Sequence, residues 1–182
     1  MILRSEQPSD YDAVYHVIKD AFETAEERDG NEQDLVVALR KSDAFIPSLS
    51  IVAEIDGVVV GHILFTKITL ISNDSAVVDE AIDGAALALA PLSVLPAYQQ
   101  QGIGGALIEE GHRRAREMGY DYSVVLGSAT YYPRFGYIPA DELGILPCFE
   151  VPRENFMAHQ LRDETSRVSG VVRYAKEFGV EE

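Results

Sequence analysis

The run Ala90-Pro91-Leu92-Ser93-Val94-Leu95 is apolar, stops at Pro96 and a polar turn, and re-enters regular structure through Gln99-Gln100-Gln101-Gly102-Ile103-Gly104-Gly105. It reads as a strand, a tight turn and a glycine-rich helix start. Helix starts carry unpaired N–H donors and the positive end of the macrodipole, so anions bind there. Gly102, Gly104 and Gly105 have no Cβ to hold a phosphate away from that first turn. The helix continues to Gly119, a good stop, and Asp121 to Gly127 is a second apolar strand. A strand–helix–strand unit of this length predicts a parallel pair with a right-handed crossover, hence an α/β (α+β) chain.

Two common phosphate motifs fail against these residues. Counting Gly-x-Gly-x-x-Gly from Gly102 puts Leu107 in the last place, and the stretch has no lysine for a nucleotide P-loop. The pattern that fits is Gln-x-x-Gly-x-Gly at Gln99, Gly102 and Gly104. Downstream, Leu126-Gly127 leads into Tyr131-Tyr132-Pro133-Arg134-Phe135-Gly136-Tyr137, with Tyr132 four residues before a Gly-aromatic pair. The two motifs in this order resemble the GNAT superfamily of N-acetyltransferases, and the full tyrosine run resembles its YhbS-like branch.

The resemblance implies a GNAT acyl-CoA N-acyltransferase fold over residues 1–182 as a single domain, with a core of about 1–150 and C-terminal strands and tail over 151–182. Its mixed central sheet of six to seven strands, flanked by helices, splays between strands 4 and 5. In that fold the pantetheine arm of acetyl-CoA pairs with strand four, here Leu92, Ser93 and Val94. The pyrophosphate sits on the amides from about Gln100 to Gly105, that is Gln100, Gln101, Gly102, Ile103, Gly104 and Gly105, with Gln99 heading the cofactor-binding motif. An amine then attacks the thioester directly, an amide of Val94 or Leu95 stabilises the oxyanion, and Tyr132 protonates the departing thiolate. Tyr131 is a rival for that place, and Arg134 either reaches a phosphate or ends the helix in solvent. Glu54 and Glu23 are base candidates by position alone, beside a water chain. Two departures from the family stand out: Gln100 where many members have Gly, and Val125 where many have Asn.

Charge and composition narrow the partners. Thirty acidic against fifteen basic residues give a net charge of −15, which disfavours nucleic acid and acidic membranes. The same field suits a cationic acceptor such as a polyamine, an aminoglycoside or a lysine-bearing peptide, or serves only as a solubilising surface. No apolar run approaches the roughly 20 residues of a membrane helix, and Met1 to Glu6 lacks the pattern of a signal peptide, so a cytoplasmic location is expected. The lone Cys148 and the scattered His16, His62, His112 and His159 show no metal-ligand spacing, and His62 in its apolar strand reads as structural. The competing reading is an acyl-CoA-binding sensor that transfers nothing, and the fold resemblance also implies homodimers through exposed strand edges.

Elsewhere the chain reads as a first strand at Ile2–Arg4, a helix over Tyr11–Phe22, an acidic loop over Glu23–Glu32, and a second helix around Leu35–Arg40. Leu49–Glu54 and Val58–Phe65 form a hairpin across Asp56-Gly57, with continuation toward Ile71 and a break at Ser72-Asn73-Asp74-Ser75. Ala85–Val94 is the fourth strand. Leu107, Ile108, Gly111, Ala115 and Met118 form the inward side of the glycine-headed helix. Late strands are expected near Cys148-Phe149-Glu150, over Phe156–Leu161 and over Gly170–Tyr174. The acceptor pocket is expected over Glu23–Gly30 and Ala140–Glu154.

Overall fold

Asp56 and Gly57 both take left-handed backbone angles, φ 51° and 81°, the pair a two-residue turn needs to match strand twist. They join β2 (Phe45–Ile55) to β3 (Val58–Ser72) in one long antiparallel hairpin. The computed structural model describes residues 1–23, 29–73, 81–165 and 167–180. Most of the expected acidic loop after Glu23, and the expected strand break at Asp74-Ser75, lie outside the described residues.

The chain divides into two units that share β3, β4 (Ala81–Val94) and α3 (Ile103–Glu117) along their lengths. The first unit holds residues 1–66 and 89–114. Here β1 (Ile2–Ser5) pairs antiparallel with β2, and α1 (Tyr11–Glu23) packs on α2 (Glu32–Leu39). The two helices bury Val14, Val17, Ile18, Val36 and Leu39. The α3 side of β3 is set by glycines. A Cβ on Gly111 would stand 2.1 Å from Phe65 Cε2, and one on Gly61 would stand 3.1 Å from Leu107 Cδ1. Strand alternation then turns His62, Leu64 and Thr66 to the opposite face of β3.

The second unit holds residues 67–88 and 115–182. β4 pairs in parallel with β5 (Tyr122–Leu126) over only Ala86–Ala88 against Tyr122–Val124, and β5 pairs antiparallel with β8 (Phe156–Gln160). β6 (Ile138–Pro139) joins β8, β9 (Gly170–Arg173) pairs with β3, and β7 (Ile145–Leu146) pairs with β9. Ile68, Leu70, Ala86, Tyr122, Val124, Phe156 and Val172 are among the residues of its apolar core.

Two expectations are corrected. The strand near Cys148–Glu150 is absent; the strand lies earlier, at Ile145–Leu146, and Phe149 stacks instead on Tyr174 at 6.2 Å. Met118 is 48% exposed, because α3 ends at Glu117 and the chain turns through left-handed Gly119 before that side chain can reach the core.

Candidate functional site

In the first unit the end of β4 and the start of α3 are knitted into one tight corner. Leu95 N–H donates to Val60 O at 2.9 Å, Tyr98 N–H to Leu95 O at 2.8 Å and Gln99 N–H to Pro96 O at 3.3 Å. The glutamine side chains close the turn on itself: Gln99 Nε2 donates to Val94 O at 3.0 Å and Gln101 Nε2 to Ala97 O at 3.2 Å. Gln100 and Gly102 are left-handed, φ 61° and 83°, and such reversals turn successive N–H groups toward one side. The first bond of α3 is Ala106 N–H to Gly102 O, 3.0 Å. The amides of Gln100, Gln101, Gly102, Ile103, Gly104 and Gly105 have no backbone acceptor among the described residues, and the first turn of α3 contains no acidic residue.

Leu92, Ser93 and Val94 lead directly into this corner. Ser93 is buried, while Leu92 and Val94 are half-buried. Two expectations narrow here. The Leu95 amide is committed to Val60, so of the two oxyanion donors only that of Val94 stays in consideration. Glu54 is held by Arg4, which also grips Asp10 at 2.7 Å, so its carboxylate is already occupied by a guanidinium at 2.8 Å.

Tyr132 belongs to the second unit. β5 ends at Leu126, and the Gly127 peptide is clasped on both sides: its N–H donates to Asn155 O at 2.9 Å and its carbonyl accepts Asn155 Nδ2 at 3.0 Å. Ser128 Oγ accepts the Tyr131 N–H at 3.2 Å, and a short helix Tyr132–Phe135 follows, ended by left-handed Gly136. The bare Cα of Gly127 lets the Tyr132 ring lie on the strand end; a Cβ there would stand 2.5 Å from ring carbon Cε2. The other neighbours of the ring are Tyr137, edge-on at 5.6 Å, and Tyr131 at 5.2 Å. Buried Tyr137 shares a 2.7 Å hydrogen bond with Ser123, whereas the Tyr132 hydroxyl bonds to no described residue.

Burial, reinforced by Tyr131, raises the Tyr132 phenol far above its ordinary value, so it keeps its proton at neutral pH. Tyr131 faces a different set of groups, with Phe135 at 5.3 Å and the Arg134 guanidinium 5.3 Å from its ring centre. Arg134 therefore lies over aromatic rings at the helix end. Sequence reasoning missed Asn155 and Ser128, whose roles rest on backbone partners that no motif announces. No group of three or more His, Cys, Asp or Glu that could hold a metal occurs among the described residues, and no described helix is long and apolar enough to cross a membrane.

Residues 11–137 match the model of the acetyltransferase (GNAT) family. The N-acetyltransferase YjhQ of Escherichia coli is 38% identical over 149 residues, covering 79% of this chain and 78% of that protein. The crystal structure of the E. coli GNAT N-acetyltransferase YhbS in complex with CoA superposes with a TM-score of 0.83 at 28% identity, over 98% of this chain and 92% of that one. A GNAT acetyltransferase of Brucella melitensis in complex with acetyl-CoA gives 0.75 at 32% identity, over 97% of each chain. With most of its length matched by the family model and by these relatives, the chain belongs to the GNAT family of acetyltransferases.

Proposed function

We propose that this protein transfers the acetyl group of acetyl-CoA to a primary amine by direct attack, in the cytoplasm. The observation that carries the reading is the row of acceptor-free amides from Gln100 to Gly105 at an α3 start without acidic side chains. An anion is held there by local donors even though the protein as a whole repels it, at a net charge of −15. The CoA and acetyl-CoA complexes of the two relatives support pyrophosphate as that anion.

The pantetheine arm then lies along Leu92, Ser93 and Val94. The amine nitrogen adds to the thioester carbonyl, and the Val94 N–H receives the negative oxygen. As the C–S bond breaks, the Tyr132 hydroxyl donates its proton to the thiolate, and the proton lost by the nitrogen returns through water to the Tyr132 oxygen. The acceptor is cationic in this reading, drawn by the acidic field; polyamines, aminoglycosides and lysine peptides are the classes to screen.

Calorimetry of acetyl-CoA binding to the wild type and to Gly104→Glu tests the site, because the substitution places a carboxylate among the free amides. Loss of binding in the variant supports the reading, and absence of binding by the wild type ends it. A thiol-release screen over those amines, repeated with Tyr132→Phe, then separates a transferase from a sensor.

A further inference from the structure

The first unit encloses a polar chain that the transfer mechanism leaves unused. Glu6, Arg40 and His62 have side chains 1%, 8% and 0% exposed, and Ser50 is fully buried. The Arg40 guanidinium donates to both Glu6 oxygens, and Ser50 O–H donates to Glu6 Oε2 at 2.7 Å. A hydroxyl has one proton to give. Ser50 Oγ must therefore accept, at 2.9 Å, from His62 Nε2, which carries the ring proton. Burial first and the Arg40 charge second hold the imidazole neutral, lowered to about 3, so the 4.0 Å approach of His62 to Glu6 is not an ion pair. His62 Nδ1 is left as a bare lone pair, buried and without a protein partner.

A complementary orphan lies on the neighbouring strand. Ser93 Oγ is also buried and unpartnered. The Ser93 carbonyl is 3.3 Å from the Cβ position of Gly61, and the Leu95 N–H is fastened to Val60 O, so this stretch of β4 runs beside Val60–His62. One orphan can only accept and the other can donate. A single enclosed water with these two partners would satisfy both.

We infer that His62 is a positioning residue: its Nδ1 lone pair, oriented by the one-way chain from His62 through Ser50 to Glu6, anchors the Ser93 hydroxyl through one water and so holds the β4 backbone at Ser93–Val94. The inference rests on the proposed acetyl-CoA reading, in which that backbone carries the thioester. Misplacing such a segment by an ångström costs rate rather than coenzyme affinity.

The test is a double-mutant cycle in kcat for thiol release from acetyl-CoA, using the best amine of the screen, with KM for acetyl-CoA and melting temperature recorded for each variant. His62→Gln keeps a donor toward Ser50 and loses the Nδ1 acceptor, and Ser93→Ala loses the hydroxyl. Each is expected to lower kcat about tenfold with little change in KM, and the double variant to be no worse than either. His62→Asn retains an acceptor near the Nδ1 place and is expected to recover most of kcat while melting lower. Additive losses, or losses that follow melting temperature across the series, overturn the positioning role.

Nitrogen NMR of the wild-type ring is the arm that needs no variant to fold. Nε2 protonated and Nδ1 bare is the expected pattern, and a proton on Nδ1 overturns the chain's direction. A wild type that does not bind acetyl-CoA refutes the coenzyme reading. A wild type that binds and turns over, yet shows additive losses, refutes the role of His62 alone.

Discussion

Gly127→Ala isolates the fit of the Tyr132 ring from every other property of the site. Gly127 is not among the left-handed glycines, so alanine is free to adopt its backbone angles and only space is at issue. The new methyl would stand 2.5 Å from Cε2 and 3.0 Å from Cδ2 of Tyr132. Carbon–carbon contacts settle at about 3.5 Å or more, so the ring must retreat by about 1 Å. The strand end cannot yield in its place, because Asn155 holds the Gly127 peptide at both its N–H and its carbonyl.

Overpacking of this kind costs about 1–3 kcal/mol, a fall of several degrees in Tm for a chain of this size. A displacement of about 1 Å at a reacting group can cost about 100-fold in rate, near 2.7 kcal/mol in the barrier. The assay is steady-state thiol release with acetyl-CoA binding measured in parallel: kcat is expected to fall toward that of Tyr132→Phe, with coenzyme affinity within about twofold of wild type. A Gly127→Ala enzyme with wild-type kcat, in a background where Tyr132→Phe is impaired, would refute the claim that this contact sets the phenol's position.

Further outcomes follow from the turn, the buried histidine and the tyrosine. Gln100→Gly relieves a left-handed non-glycine residue, φ 61°, and is expected to leave stability unchanged or raise it by up to about 1 kcal/mol, whereas Gly102→Ala at φ 83° should lower it by about 1–2 kcal/mol in urea unfolding. Folded His62 titrates near 3 against 6.5 unfolded, so below about pH 6.5 only the unfolded chain takes up its proton. Its contribution is complete above that pH and is lost toward pH 3 by up to about 1.4 kcal/mol per unit; urea titrations at pH 7 and pH 5 should show a shallower loss in His62→Gln. Because burial holds the Tyr132 phenol well above its usual range, kcat should show no alkaline limb from this group up to about pH 10; a tyrosine-dependent limb near neutrality would contradict its placement. Arg40→Met leaves the Glu6 carboxylate buried without its cation and should cost about 3–5 kcal/mol, measured by denaturant midpoint.

What could be read in advance was local. The Asp56-Gly57 turn and the start of α3 at Ile103 each depend on residues a few positions apart, and both stand where the sequence places them. β2 begins at Phe45 and β4 at Ala81, earlier than their hydrophobic runs suggest, because pairing with neighbours extends a strand past its own pattern. Phe149 was drawn into a false strand by its apolar surroundings, yet its ring finds Tyr174, a partner in the tail. The polar chain through Glu6, Arg40, Ser50 and His62 is invisible for the same reason: two residues just past the ends of β1 and α2 and two on the strands β2 and β3 look ordinary until folding removes them from water. At the turn from β4 into α3 the glycine-rich helix start is legible in the sequence, but the commitment of the Leu95 amide to Val60 is not.

The Asp56–Gly57 hairpin also has a kinetic consequence. Its strands meet across two residues, so little loop entropy opposes their closure, while the β4–β5 ladder must wait for the whole of α3 to be spanned. The expectation is that the hairpin orders early and β4 docks afterwards, since the bond from Leu95 to Val60 needs β3 in place. The corner between β4 and α3, the proposed anion site, is then acquired late, on a surface prepared by the β2–β3 turn. A substitution such as Gly57→Val, at φ 81°, should slow the recovery of coenzyme binding in stopped-flow refolding, and an unchanged rate would show that the corner assembles without the hairpin's lead.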